Sequence, residues 1–221
     1  MKKNINQLVS YSGMMYTHDF KAWYTCLKKR LDNKWSMEDL SFLLGKPPYY
    51  YADFEKMFKV DDFLVKENAL IRRVYGAFQT EKMEFDKHEY ETNEERMVRL
   101  IIEDKGLWKN YNISIPWEFA VGKKKPPKPS LTFEEWNGDE DIQMESDMLL
   151  HVRLELDKLL KLNFFKVRQP AIDIFERIKK TELYHHRIRP QHVKQGIYLL
   201  IQQAKIVVRS NGDRYCFHEN Y

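Results

Sequence analysis

Apolar side chains recur at three-to-four-residue spacing in several separate stretches of this chain. In 18–34, Phe20, Trp23, Tyr24, Leu27 and Leu31 fall on one helical face. Ser36 precedes Asp39 by three positions, the spacing of an acidic capping box. The helix that follows, MEDLSFLLG, has a natural stop in Gly45. Pro47 and Pro48 fit only the first turn of a third helix, YYYADFEKM, where a missing N–H costs nothing. A fourth helix is predicted from Asp61 or Asp62, with Phe63, Leu64, Leu70, Ile71, Val74 and Phe78 on its buried side. The highly charged residues 80–91 read as a loop. Thr92 and Glu95 again have capping-box spacing, so RMVRLIIEDKG is predicted as a helix ending at Gly106, with Met97, Leu100 and Ile101 inward. YNISIPWEF is predicted as a short strand.

The stretch GKKKPPKPS, residues 122–130, holds four lysines and three prolines and no apolar residue. Such a segment is extended and semi-rigid. It predicts a helical domain over 1–121, a linker over 122–138 and a second domain over 139–221. That domain opens with a long helix from Asp139 or Asp141 to about Leu162. Leu149, Val152, Leu156 and Leu159 form a seam too short to establish a coiled coil, so it reads as a core face first and a dimer face second. Pro170 opens AIDIFERIKKTEL, which offers Ile172, Ile174, Phe175, Ile178 and Leu183 to a core. Pro190 opens another helix, with Val193, Ile197, Leu200 and Ile201 on one face. Asn211-Gly212 between KIVVRS and DRYCFH predicts a β-hairpin with a type I′ turn. The expected fold class is therefore mainly α.

Composition narrows the class. The chain has 221 residues, 43% of them apolar, so it can build a core and is not a disordered chain. Its two cysteines, Cys26 and Cys216, exclude a disulfide scaffold and a cysteine-based zinc module. No apolar run reaches the roughly 18 residues of a membrane span, and the start lacks a signal-peptide core. A cytoplasmic protein is expected. The net charge of +4 is unevenly spread: +4 over residues 1–80, −6 over 131–165 and +6 over 166–221. Basic ends suit nucleic acid, and equally suit solvated helix faces.

Residues 27–55 resemble the lambda-repressor-like helix-turn-helix family. The resemblance rests on Leu27 to Leu31, Ser36 to Leu40, Leu44-Gly45, Pro48, Tyr50, Asp53 and Glu55. It implies that Leu40, Leu44 and Phe54 lock two helices together and that Lys46 and Tyr49 lie near DNA. The departures are Met37, Lys46 and the bulky Tyr51. The outward Pro47, Tyr49, Ala52 and Lys56 include no Arg, Asn or Gln able to read a base edge bidentately. Clustered Tyr49, Tyr50 and Tyr51 equally suit packing or a protein interface.

Residues 169–218 resemble winged-helix DNA-binding domains, with Val193, Ile197, Leu200 and Ile206 at core positions and Tyr215 and Phe217 returning to the core. The departure is a middle helix compressed into Thr181–Arg187. The resemblance implies a recognition helix exposing Arg189, Gln191, His192, Lys194 and Gln195, and a wing presenting Arg209, Asn211 and Arg214. Those residue types suit phosphates and base edges.

The sequence contains no Gly-rich phosphate loop, GxSxG or HExxH, and no cofactor, metal or small-molecule ligand is inferred. The expectation is a non-enzymatic regulator of transcription or of a mobile element. It would bind double-stranded DNA, with a homodimer through the long helix favoured. The rivals are a protein-interaction module that reuses these folds and a replication or recombination accessory factor.

Overall fold

The computed structural model describes residues 7–76, 80, 95–115, 130–136, 142–181 and 187–220. Contacts divide the chain into two compact units. One joins Met1–Leu31 to Asp53–Asp139, and the other joins Asp32–Ala52 to Glu140–Tyr221. The first boundaries thus fall inside the repressor-like stretch, and the last at 139/140. The Lys/Pro segment up to residue 129 lies outside the described residues.

The N-terminal unit contains β1 (Gln7–Met15), α1 (Thr17–Asp32, whose last residue belongs to the other unit), α4 (Val60–Tyr75), β2 (Arg96–Asp104), β3 (Trp108–Ser114) and β4 (Ser130–Trp136). The helix α3 (Tyr50–Glu55) ends in it. The strands form an antiparallel sheet in the order β1-β2-β3-β4. Val98, Leu100, Tyr111 and Ile113 are buried on its inner face, with Phe20, Trp23, Leu27, Phe54, Phe63 and Ile71 also in this unit's core. Tyr24 meets Phe133 edge-on at 6.3 Å, and Phe54 stacks on Phe63 at 4.0 Å. The Arg30 guanidinium donates two 2.6 Å hydrogen bonds to the buried Glu55 carboxylate and lies 3.6 Å from Glu135, which accepts from the Tyr111 hydroxyl. Glu55, matched above to the end of a repressor-like helix, is here a buried ion-pair partner.

The expectation of a mainly α fold is overturned. The described residues are 51% helical and 27% strand, with a four-stranded and a three-stranded sheet. The largest correction is residues 96–104, expected as a helix and found as β2. Met97, Leu100 and Ile101 fit a helical face, but Val98, Leu100 and Ile102 also fit a two-residue period. Pairing with β1 on one side and β3 on the other decides between them. The strand β1 was not expected, although Val9, Tyr11 and Met15 fall at two-residue spacing on its inner face.

The C-terminal unit contains α2 (Met37–Leu43), α5 (Ile142–Lys161), a 3-10 turn at Phe164–Lys166, β5 (Gln169–Pro170), α6 (Ala171–Lys179), α7 (Pro190–Gln202), β6 (Ile206–Asn211) and β7 (Arg214–Glu219). The strand order is β5-β7-β6. The capping box forms as expected: Asp39 N–H donates to Ser36 Oγ and Ser36 N–H to Asp39 Oδ2, at 3.1 and 3.0 Å. Val152, Leu156 and Leu159 are buried while Leu149 is half-buried, so the seam of α5 is a core face. Helix α5 packs on α7 so closely that a Cβ at Gly196 would sit 2.6 Å from Leu156 Cδ1. Only glycine permits that approach.

Smaller corrections follow. Helix α6 ends at Lys179, and Leu183 lies outside the described residues, as do 182–186 of the proposed compressed middle helix. Among the described residues, this unit's helices are α2, α5, α6 and α7, with the start of α3. Asn211 pairs with Arg214, so the two-residue loop is Gly212-Asp213 and not Asn211-Gly212. Gly212 alone of the pair has positive φ, +65°, which fits a type II′ turn and not type I′. Tyr215, expected in the core, is 46% exposed, whereas Phe217 is buried.

Candidate functional site

The ten residues expected to meet DNA all fall in the C-terminal unit, and the structure separates them into two groups. The segment 32–52 and Glu145 of α5 supply the in-chain partners of the first group. Its helix α2 packs on α6 and α7. Trp35 meets Phe175 edge-on at 6.0 Å, and Phe42 meets Phe217 at 6.0 Å. Gly45 turns the chain with φ +67° and accepts a 2.7 Å hydrogen bond from Tyr215 N–H, while a Cβ there would meet Tyr215 O at 2.8 Å. The segment therefore packs against β7, the hairpin turn and one side of α7.

Most of the expected site is engaged inside the unit. The Lys194 ammonium lies 3.0 Å from Asp39 Oδ1 and 3.1 Å from Glu38 Oε1. Burial works against its charge, but the two carboxylates outweigh it and hold the Lys194 pKa above its ordinary value. His192 is 1% exposed. Its Nδ1 accepts from Arg189 N–H at 3.0 Å, so Nε2 carries the proton and donates to Glu145 Oε2 at 2.8 Å. Gln191 Nε2 donates to the same oxygen at 2.8 Å. Arg189 is half-buried at the start of α7. Arg214 Nη1 donates to Leu44 O at 2.8 Å. Lys46 is buried, ion-paired with Asp213 and 5.0 Å above the Tyr50 ring. Its hydrogen bond holds the Asp213 carboxyl below the usual range.

Gln195, Arg209, Asn211 and Tyr49 remain exposed, Tyr49 by 77%. They do not gather into one basic strip with the engaged residues. The expectation that Arg189, Gln191, Lys194, Arg209 and Arg214 share one exposed surface is not met, because in-chain partners hold Gln191, Lys194 and Arg214. The buried halves of the same helix, Val193, Ile197 and Leu200, are where the helical period places them.

The residues that sequence reading missed are the partners: Asp39, Glu38, Glu145 and Asp213. Asp39 was visible only as a capping residue. It serves twice, one oxygen capping α2 and the other holding Lys194. A nearly buried carboxylate needs such compensation, but sequence does not say from where. Among the described residues no group of three or more His, Cys, Asp or Glu is placed to hold a metal ion. Likewise, none of the described helices is long and apolar enough to cross a membrane.

Comparison with protein families, with curated proteins and with solved structures finds no match to this chain.

Proposed function

We propose that this chain is a non-enzymatic binding protein whose C-terminal unit has winged-helix architecture turned to protein contact instead of base reading. The order α5-β5-α6-α7-β6-β7 with strands arranged β5-β7-β6 supports the winged-helix reading. The observation that carries the function is the cover over it. Segment 32–52 packs against β7, the hairpin turn and one side of α7, and Lys194 is engaged by Asp39 and Glu38. Beside exposed polar residues the unit presents three tyrosines: Tyr49, Tyr198 and Tyr215 are 77%, 46% and 46% exposed. Exposed tyrosine suits a protein partner because it offers large contact area with a polar tip.

The test is fluorescence anisotropy of labelled random-sequence duplex at rising salt. The expected result is no saturable, salt-steep binding. Micromolar binding that weakens on raising salt, and on Arg209→Ala or Gln195→Ala, would favour a DNA regulator instead. The exposed Gln195, Arg209 and Asn211 keep that second reading specific.

Self-association belongs to the same proposal. Leu150 and Leu154, four residues apart on α5, are 57% and 53% exposed, which favours a second copy of the chain there. Light scattering at high concentration should show a dimer that Leu150→Glu with Leu154→Glu abolishes. A monomer throughout excludes this part.

A further inference from the structure

The outer face of the N-terminal sheet is built from side chains that the sequence reading assigned to nothing. Register places them in rows. Leu8, Glu103, Asn110 and Glu134 lie directly across from one another over all four strands. Two residues along, Ser10, Ile101, Asn112 and Thr132 form the next row. Two residues the other way, Trp108 pairs with Trp136. Side chains two apart share a face, so these rows make one surface opposite the buried Tyr111 and Ile113. A cavity of about 450 Å³ lies over the first two rows. Across four strands it spans roughly 14 Å, three inter-strand spacings.

The cavity's lining and the tryptophan row that flanks it differ in chemistry. Trp108 and Trp136 meet edge to face, with centroids 4.6 Å apart, yet remain 43% and 47% exposed. Asn112, Thr132 and Glu134 are exposed beside them. Lys105 Nζ lies 3.1 Å from Glu103. Asn110, oriented to satisfy both neighbours, donates to Glu134 at 3.2 Å and accepts from Lys105 at 2.7 Å. The surface therefore offers hydrogen-bond donors and acceptors side by side, next to an aromatic platform. Two carboxylates in one row disfavour a polyanion such as nucleic acid. Amides, hydroxyls and carboxylates disfavour an acyl chain. A peptide strand adds at a sheet edge, where backbone groups are open, not across a face whose backbone is already paired.

We propose that this trough binds a neutral, hydroxyl-rich ligand, a short oligosaccharide lying across the strands, with one ring stacked on the tryptophan pair. The apolar face of a sugar ring covers an exposed indole. Its hydroxyls match Asn110, Asn112, Thr132 and the carboxylates, each as donor or acceptor in turn.

The experiment screens the labelled full chain on an array of neutral glycans, then titrates a bound oligosaccharide while following tryptophan emission. Saturable binding with a change in emission is expected. Trp136→Ala should weaken it about 3- to 10-fold. Glu134→Gln should weaken it too, since it removes a carboxylate acceptor from the row, whereas raising salt should change affinity less than about twofold, since the ligand carries no charge. Circular dichroism checks each variant's fold. Should Trp136→Ala unfold, Asn112→Leu on the exposed face serves instead and should weaken binding similarly. Three outcomes overturn the proposal: no neutral glycan binding saturably, full affinity in a folded Trp136→Ala or Asn112→Leu variant, or loss of binding on raising salt.

Discussion

Each unit holds one lysine or arginine between two carboxylates, and the two clusters behave differently because of where solvent reaches. In the N-terminal unit the Arg30 and Glu55 side chains are 4% and 2% exposed, and the guanidinium grips the carboxylate with two bonds. In the C-terminal unit the Lys194 and Asp39 side chains are 12% and 2% exposed, but Glu38 is 51% exposed. The Arg30–Glu55 pair is shielded from water. The second cluster is open on one side, so water shares the work. A sealed pair contributes little net stability when intact and costs much when halved. An open pair costs less to halve, yet here it decides which cation is available to a ligand.

That contrast orders the expected effects. Arg30→Ala should be the most damaging substitution, since it takes the counter-ion from an enclosed carboxyl whose pKa burial already pushes up. A loss of about 3–5 kcal/mol in urea unfolding is expected. Arg30→Lys should recover part of it, because the charge returns without the planar fork.

Packing, not charge, sets the next limit. Gly196→Ala drives a methyl against Leu156 Cδ1 and Val152 Cγ1, at 2.6 and 3.2 Å. It should cost about 1–3 kcal/mol, read as a lowered melting temperature. A smaller cost would show that α5 and α7 separate easily.

Lys194→Ala should cost about 1–2 kcal/mol, since Asp39 keeps its capping bond but loses its counter-ion. An exposed helix position would change stability by no more than about 0.5 kcal/mol, so the same melt distinguishes a held lysine from a solvated one.

The pH dependence of the open cluster should be gentler still. The Lys194 value is raised in the folded state, so its contribution is whole below the ordinary value of 10.5 and fades as pH climbs through the raised one. The Asp213 value is lowered, so its contribution is present above 3.8 and fades as pH falls through the depressed one. Thermal melts across pH should therefore be flat between those limits as far as these groups are concerned. Lys194→Met should remove the alkaline fall and leave the acid one.

Cysteine reactivity gives the finest probe. Cys26 and Cys216 are both buried, and burial pushes the Cys26 thiol up. Neither should react with a thiol reagent until the chain opens, so labelling rates should follow the unfolding of each unit. Faster labelling at Cys216 than at Cys26 would rank the C-terminal unit as the less stable.

Helices with strong local signals were legible from residues alone. Ser36 with Asp39, Gly45, Pro190 and the long apolar seam of α5 each act within a few positions, and each does in the structure what its chemistry dictates. The hairpin was legible for the same reason, although its turn sits one residue later. The N-terminal sheet was not. The alternation of Val9, Tyr11 and Met15 in β1 went unread, and β2 fits helical and extended periods equally, so only the partners across the ladder distinguish them.

The candidate site divides along the same line. Sequence determined that Val193, Ile197 and Leu200 face inward and that Gln191, Lys194 and Gln195 lie on another side of α7, because a helix has a fixed period. It also fixed the departures that leave the third helix of the repressor-like stretch without a base-reading side chain. Tertiary structure alone decided that residues 32–52 join residues 140–221, at least 88 positions further along the chain. Lys194 then meets Asp39 and Arg214 meets Leu44, and side chains suited to phosphate become in-chain ties. Charge and period are properties of a residue and its near neighbours, whereas coverage depends on which distant segment buries its own apolar face there, as Phe42 does against Phe217.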